Sequence, residues 1–163
     1  MAAEFLLQST DVAEGATLAE VYVYDGSGCH GGNRSPALAW TGVPEGTRSF
    51  ALTVHDPDAP RRGGWWHWLI FNIPAALSGL VQGVGEPGHE PAGSVQSLNS
   101  YGTTGYGGPC PPVGHGVHHY VFTVHAMDCD DLGLDADAPP EAVAEAIRGH
   151  AIAAASLTAL YQR

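Results

Sequence analysis

Three runs of the chain set apolar residues in the rhythm of extended backbone. In SFALTVHD, residues 49–56, Phe50, Leu52 and Val54 alternate with Ala51, Thr53 and His55, the period of two expected of a strand. WHWLIFNI at 66–73 is apolar on both faces and ends at Pro74, which predicts a central strand covered on both sides. HYVFTVHA at 119–126 repeats the two-sided pattern, and shorter segments at 4–8, 20–24 and 37–40 predict further strands. The last quarter changes period. Val143, Ile147, Ala151, Ala154 and Leu157 fall near helical spacing. Before them stand Asp137 as an acidic cap, Pro139 and Pro140 at the opening turn, and Glu141 near the positive end of the dipole. We read 140–160 as one amphipathic helix, or two meeting at Gly149, packed on a sheet face.

Composition narrows this to a loop-rich, mainly β protein. The 163 residues make one domain, 1–163, large enough to bury its own core. Charged residues are 14% of the chain, against 22 glycines and 12 prolines. The net charge of −11, from 17 acids and 6 bases, opposes nucleic acid and stable docking on an anionic membrane, since both depend on clustered cations. No run approaches the roughly 18 apolar residues of a membrane span. The first fifteen residues lack the basic start of a secretory signal. Cys29, Cys110 and Cys129 have no metal-ligand spacing, and an odd number cannot pair completely. Reduced thiols in a cytoplasm are the simplest reading.

The polar chemistry sits at strand edges. Asp56 ends a strand before Pro57, which holds its backbone extended and turns the chain. Asp58 can serve that turn and leave Asp56 free to point inward. His67 lies in WWHWL on the face that strict alternation shares with Leu69, Phe71 and Ile73. His118 stands at a strand entrance with Tyr120 on the same face. Taken singly, each is most simply a turn former or a core residue; their company points to a pocket. The segment GTTGYGGPCPPVGHG at 102–116 combines glycines with prolines and predicts a fixed loop with exposed amides able to form a small anion nest. It lacks the Lys-Ser/Thr ending of a phosphate-binding P-loop.

Taken together, SPALAW at 35–40, DPDAP at 56–60, HWLIFNIP at 67–74, GYGGPCPPVGHGVHHYVF at 105–122 and the terminal GHAIAAASLTALYQR resemble the phosphatidylethanolamine-binding protein family, in its bacterial Raf kinase inhibitor-like branch. The resemblance implies a central antiparallel β-sheet flanked by a smaller sheet and a C-terminal helix or helices. It also implies an anion pocket built from Asp56, Pro60, His67, Gly108, Pro112, His118 and Tyr120, with Tyr161 closing it. Tryptophans Trp65, Trp66 and Trp68 and Tyr106 would shape an apolar rim. Relatives usually carry Arg after the loop histidine; here it is His119.

The expected function is therefore a non-catalytic binding protein for a small anionic or phosphorylated ligand, a phospholipid head group among them. It needs no cofactor and no resident metal. Protonated histidines and loop amides would accept the anion, with Asp56 orienting an imidazole or an ammonium group. Two alternatives belong to other classes. One is a regulatory inhibitor of a protease or kinase, acting through an unidentified protein partner. The other is an enzyme using Asp56, His67 and His118 as a metal site or as acid and base. A homodimer is a further expectation drawn from the bacterial relatives.

Overall fold

The computed structural model describes residues 3–163; Met1 and Ala2, the start of the stretch read for a signal, lie outside them. The strands are β1 (Leu6–Gln8), β2 (Asp25–Gly26), β3 (Cys29–His30), β4 (Leu38–Thr41), β5 (Ser49–Asp56), β6 (Trp65–Pro74), β7 (Gly79–Leu80), β8 (Val95–Gln96), β9 (His118–Met127) and β10 (Ala151–Tyr161), with helix α1 at Pro140–His150. An antiparallel sheet in the order β10-β9-β5-β6-β8 lies at the centre, beside a three-stranded sheet, β1-β4-β7, and the β2-β3 hairpin. One face of the central sheet, with Phe50, Leu52, Val54, Trp68, Ile70, Tyr120 and Phe122, packs against Leu7, Leu38, Trp40 and Leu80 of the small sheet. On the other face Ala51, Leu69, Phe71 and Met127 pack against Val143 and Ile147 of α1. This is the architecture expected of mainly β chains that bury both faces of one sheet.

The helix is half as long as its pattern predicted. α1 ends at His150, and the chain continues as an eleven-residue strand that pairs with β9 from Ala151 opposite Met127 to Tyr161 opposite His118. Ala153, Ala155, Leu157, Ala159 and Tyr161 alternate toward the core, a period of two masked by alanine's helix propensity. Propensity is a weak preference, and ten paired positions along β9 override it. The cap also differs. The N-cap residue is Pro139, without a side-chain cap, while Asp137 instead donates its own amide to Asp135 Oδ1. At 20–24 the expected strand is a single 3-10 turn, Glu20–Tyr22.

Two bulges in β6 break the strict alternation assumed for it. Val54 and His55 pair with Trp68 and Trp66, leaving His67 as an extra residue, and Phe50 and Leu52 pair with Ile73 and Ile70, leaving another where Asn72 has a φ of 57°. Each extra residue switches the side of every residue beyond it. Leu69 and Phe71 therefore face the helix, while His67 and Ile73 do not share their face.

The cysteine reading is overturned. Cys29 on β3 and Cys110 in the 102–116 loop are joined in a disulfide across a Cα–Cα distance of 6.0 Å, and only Cys129 is free. Partners 81 positions apart leave no spacing signal. The inference of a reducing compartment loses its footing, since such bonds persist where the surroundings are oxidising. No described helix is long and apolar enough to cross a membrane.

Candidate functional site

The β5–β6 connection and the 102–116 loop meet over one end of the central sheet. Asp56 closes β5 and caps the turn after it: Oδ1 accepts the Asp58 amide at 2.8 Å. The turn duty assigned to Asp58 thus falls on Asp56 itself. The chain returns through Gly63 and Gly64, and at Gly64, with φ of 72°, a Cβ would run into the Asp56 carbonyl and the His55 ring. That tight return places Pro60 and Arg61 over the sheet end. All described peptide bonds are trans, the Ala59–Pro60 bond included.

These segments enclose a cavity of about 310 Å³ lined by Asp56, Pro60, His67, Pro112, His118 and Tyr120, with Arg61, Trp65, Tyr101, Ser27 and Cys110 also in the wall. Six of the eight residues assigned to the pocket are brought together. Gly108 and Tyr161 do not line it. Gly108 packs where a Cβ would meet the Tyr22 carbonyl, its amide donates to Asn33 Oδ1 at 2.8 Å, and its carbonyl accepts the Tyr101 hydroxyl at 2.7 Å. Tyr161 stands opposite His118 on the neighbouring strand, but its hydroxyl donates to Glu20 Oε1 at 2.7 Å. Burial and that carboxylate push its phenol up to about 12.

At the floor is a chain of three side chains. His118 Nδ1–H donates to Asp56 Oδ2 at 2.6 Å, and His118 Nε2 shares a hydrogen with His115 Nδ1 at 2.6 Å. The His118 and Asp56 side chains are only 2% and 4% exposed. Both His118 nitrogens are therefore committed within the protein. His67 is different. Its Nδ1–H donates to the Gly107 carbonyl at 2.7 Å, which fixes the tautomer and leaves Nε2 as an acceptor with no protein partner among the described residues. Burial drives this imidazole down to about 4, against the upward pull of Gly107 and Asp56. At neutral pH it is uncharged, so the expectation of a protonated His67 does not hold. The permanent cation at the pocket is Arg61, its guanidinium 5.0 Å above the Trp65 ring.

The depressed His67 makes stability pH-dependent, with a defined sign. Between about 6.5, the ordinary histidine value, and about 4, the unfolded chain takes up a proton that folded His67 refuses. Stability is thus full above the unfolded value and declines as pH falls through this window. For His67 the loss between about pH 7 and about pH 5 is about 2 kcal/mol. His125, half-buried beneath α1 with Thr53 Oγ1 at 3.0 Å, is also lowered by burial to about 4 and adds a smaller loss because water partly reaches it. Urea unfolding across this range should show the decline, and His67→Gln should remove about half of its slope. A wild-type profile that stays flat would contradict the assignment.

The amide nest expected of the 102–116 loop is absent from the amides that can be traced. Those of Gly102, Gly105, Tyr106, Gly107 and Gly114 donate to carbonyls outside the loop, that of His115 to the Pro112 carbonyl within it, and those of Thr103 and Gly108 to asparagine side chains. The aromatic rim is also narrower than expected. Trp65 lines the cavity, whereas Trp66 packs at a tilt against His55 with ring centroids 4.2 Å apart, and Trp68 and Tyr106 are buried in the core. Asp56, His67 and His118 do not gather their donor atoms into a metal-sized cluster; among the described residues one such group exists, elsewhere.

A family model described as phosphatidylethanolamine-binding protein matches residues 8–162. The chain belongs to that family. YbcL of Escherichia coli K12 is 43% identical over 163 residues, covering 99% of this chain and 89% of YbcL. YbhB of the same organism is 43% identical over 156 residues, covering 95% of this chain and 98% of YbhB. The crystal structure of E. coli YbcL matches with a TM-score of 0.97 across 99% of both chains. That of a Chlamydia trachomatis homologue, 33% identical, scores 0.80 over 98% of this chain and 97% of its own. In this member of the family, residue-by-residue reading missed Arg61, Tyr101 and His115. Only His115 left a trace, in its three-residue spacing from His118 just outside a strand.

Proposed function

We propose that this member of the phosphatidylethanolamine-binding proteins holds a small phosphate-type anion, a phosphomonoester or phospholipid head group, and does not turn it over. The observation that carries the reading is the convergence of one guanidinium, Arg61, and two imidazoles, His67 and His118, on a cavity of about 310 Å³ in a chain of net charge −11. A local cation in an otherwise acidic chain selects an anion small enough to be reached by it. His67 Nε2, an acceptor, favours an oxyanion that still carries a proton, since a P–O–H group donates to it and a fully ionised oxygen repels it. Commitment of both His118 nitrogens to Asp56 and His115 supports binding without chemistry, because it withdraws His118 as a free base and leaves His67 Nε2 to accept the proton that the anion itself carries.

Thermal unfolding in inorganic phosphate, phosphoethanolamine and sulfate tests this. Phosphate and phosphoethanolamine should raise the midpoint, more at about pH 6 than at about pH 8 because the monoanion predominates below its second ionisation. Sulfate, with no proton to donate, should stabilise less at either pH. Arg61→Ala should abolish most of the gain, and phosphorus NMR should return phosphoethanolamine intact. Absence of any shift at tens of millimolar ligand, or equal shifts in Arg61→Ala, would defeat the reading.

A further inference from the structure

At the far end of β9, about 30 Å from the pocket along the strand, the chain gathers three unlike donors that pocket chemistry does not use. Asp128 and Cys129 follow the last residue of β9, and His150 closes α1. One ligand atom from each lies within 4.8 Å of the other two. The strand spacing that revealed nothing for Cys129 is bridged by the fold, because α1 and β10 return His150 to the end of β9.

The backbone around these donors is held from several directions. The Asp128 amide donates to the His150 carbonyl at 2.9 Å, the Arg48 amide to the Met127 carbonyl at 2.8 Å, and Ser49 Oγ to the Cys129 carbonyl at 2.6 Å. The nearby Arg48 guanidinium is occupied by both oxygens of Asp130, at 2.7 and 3.3 Å. Its charge is thereby turned to Asp130 and not to Asp128. What remains is His150 Nδ1 at 2.8 Å from Asp128 Oδ1, with both side chains about half exposed, and a free thiol beside them.

We propose that Asp128, Cys129 and His150 form a binding site for a thiophilic divalent cation of the zinc type. Zinc takes sulfur at about 2.3 Å and nitrogen or oxygen at about 2.0–2.2 Å, so tetrahedral ligands stand roughly 3.3–3.7 Å apart. Closing the present 4.8 Å limit to that spacing asks for shifts of about 1 Å, which the exposed Asp128 and His150 side chains can make toward the half-buried Cys129. Thiolate and carboxylate together carry two negative charges, which match a divalent ion, and the neutral imidazole completes a three-ligand set with a fourth position open to solvent. Sulfur with imidazole selects zinc, cobalt, nickel or copper over magnesium or calcium, which prefer oxygen alone. The strongly acidic chain raises the local concentration of any cation.

Cobalt(II) is the direct probe, since a thiolate ligand gives a charge-transfer absorption in the near ultraviolet that nitrogen and oxygen donors do not. Tag-free protein, without reductant so that the Cys29–Cys110 bond stays intact, should bind one equivalent of cobalt with this band, and zinc should displace it. Cys129→Ser should abolish the band, and both Cys129→Ser and His150→Gln should weaken zinc binding on the order of tenfold or more. Asp128→Asn should weaken it less, since an amide oxygen still ligates. His89→Gln, altering an exposed histidine elsewhere, should change nothing. Circular dichroism establishes that each variant is folded. Lack of the band at millimolar cobalt, its survival in Cys129→Ser, or loss of zinc binding in His89→Gln overturns the proposal.

Discussion

Replacing Cys29 and Cys110 together by alanine should lower the free energy of unfolding by about 3–4.5 kcal/mol. The bond closes a loop of 81 residues, and the entropy it removes from the unfolded chain grows with the logarithm of that length. Few other single features of this chain act on so much of it. The covalent link also has a local role, because Cys110 is part of the pocket wall. The loop has other tethers: the Tyr24 amide donates to the Pro109 carbonyl at 3.0 Å, and Arg163 Nε–H donates to the Pro111 carbonyl at 2.6 Å. We therefore expect the double alanine variant to fold, with a lower urea midpoint and a phosphate affinity reduced several-fold. Wild-type protein treated with reductant should reproduce both changes. A variant within about 1 kcal/mol of wild type would show that the tethers alone hold the loop.

Asp56→Asn should cost about 3 kcal/mol or more. Both carboxylate oxygens are in use, one by His118 Nδ1–H at 2.6 Å and one by the Asp58 amide at 2.8 Å. An asparagine offers one acceptor and one NH₂, so either a donor meets a donor or the His118 ring must give up the tautomer that donates to the carboxylate, in a site that water barely reaches. A buried group stripped of its partner pays its full desolvation cost. The Asp58–His119 pair is the instructive contrast. Its Nδ1···Oδ2 distance of 2.7 Å is as short, yet its side chains are 39% and 53% exposed. Burial pulls the Asp58 carboxyl up, but hydrogen bonds from the His119 ring and amide reverse this and leave it below the usual range. His119→Ala should still cost under about 1 kcal/mol, as exposed pairs do. His119 takes no part in the cavity wall. Urea unfolding of the two variants separates the cases, and equal losses would contradict the ranking by burial.

Much of the sheet was legible because β5, β6 and β9 carry dense apolar patterns whose period survives in the fold. β10 was not, since alanines satisfy a helix as readily as a strand and only the facing β9 decides between them. His118 and Tyr120 were placed on one face by alternation, and they line one cavity. His67 also reaches that cavity, although by a bulge that alternation cannot foresee. Arg61 lies in a loop with no period at all, and its position over Trp65 follows from the return of the chain through Gly63 and Gly64. Of the loop amides read as free, those of Tyr106, Gly107, Gly108 and Gly114 are spent on segments remote in sequence, and those of Gly102, Thr103 and His115 on turns within a few residues.

By itself, then, the sequence determined the class of the fold, its three central strands, its acidic balance and the cluster of polar groups at strand ends. These depend on side-chain chemistry and on spacing within a few residues. Tertiary structure alone decided that Cys29 meets Cys110, that His115 extends the Asp56–His118 chain, that His67 is neutral, and that His150 returns to Asp128 and Cys129. Each of these is a matter of distance or solvation between residues far apart in the chain, and both come into being only when the strands pair and the core closes over them.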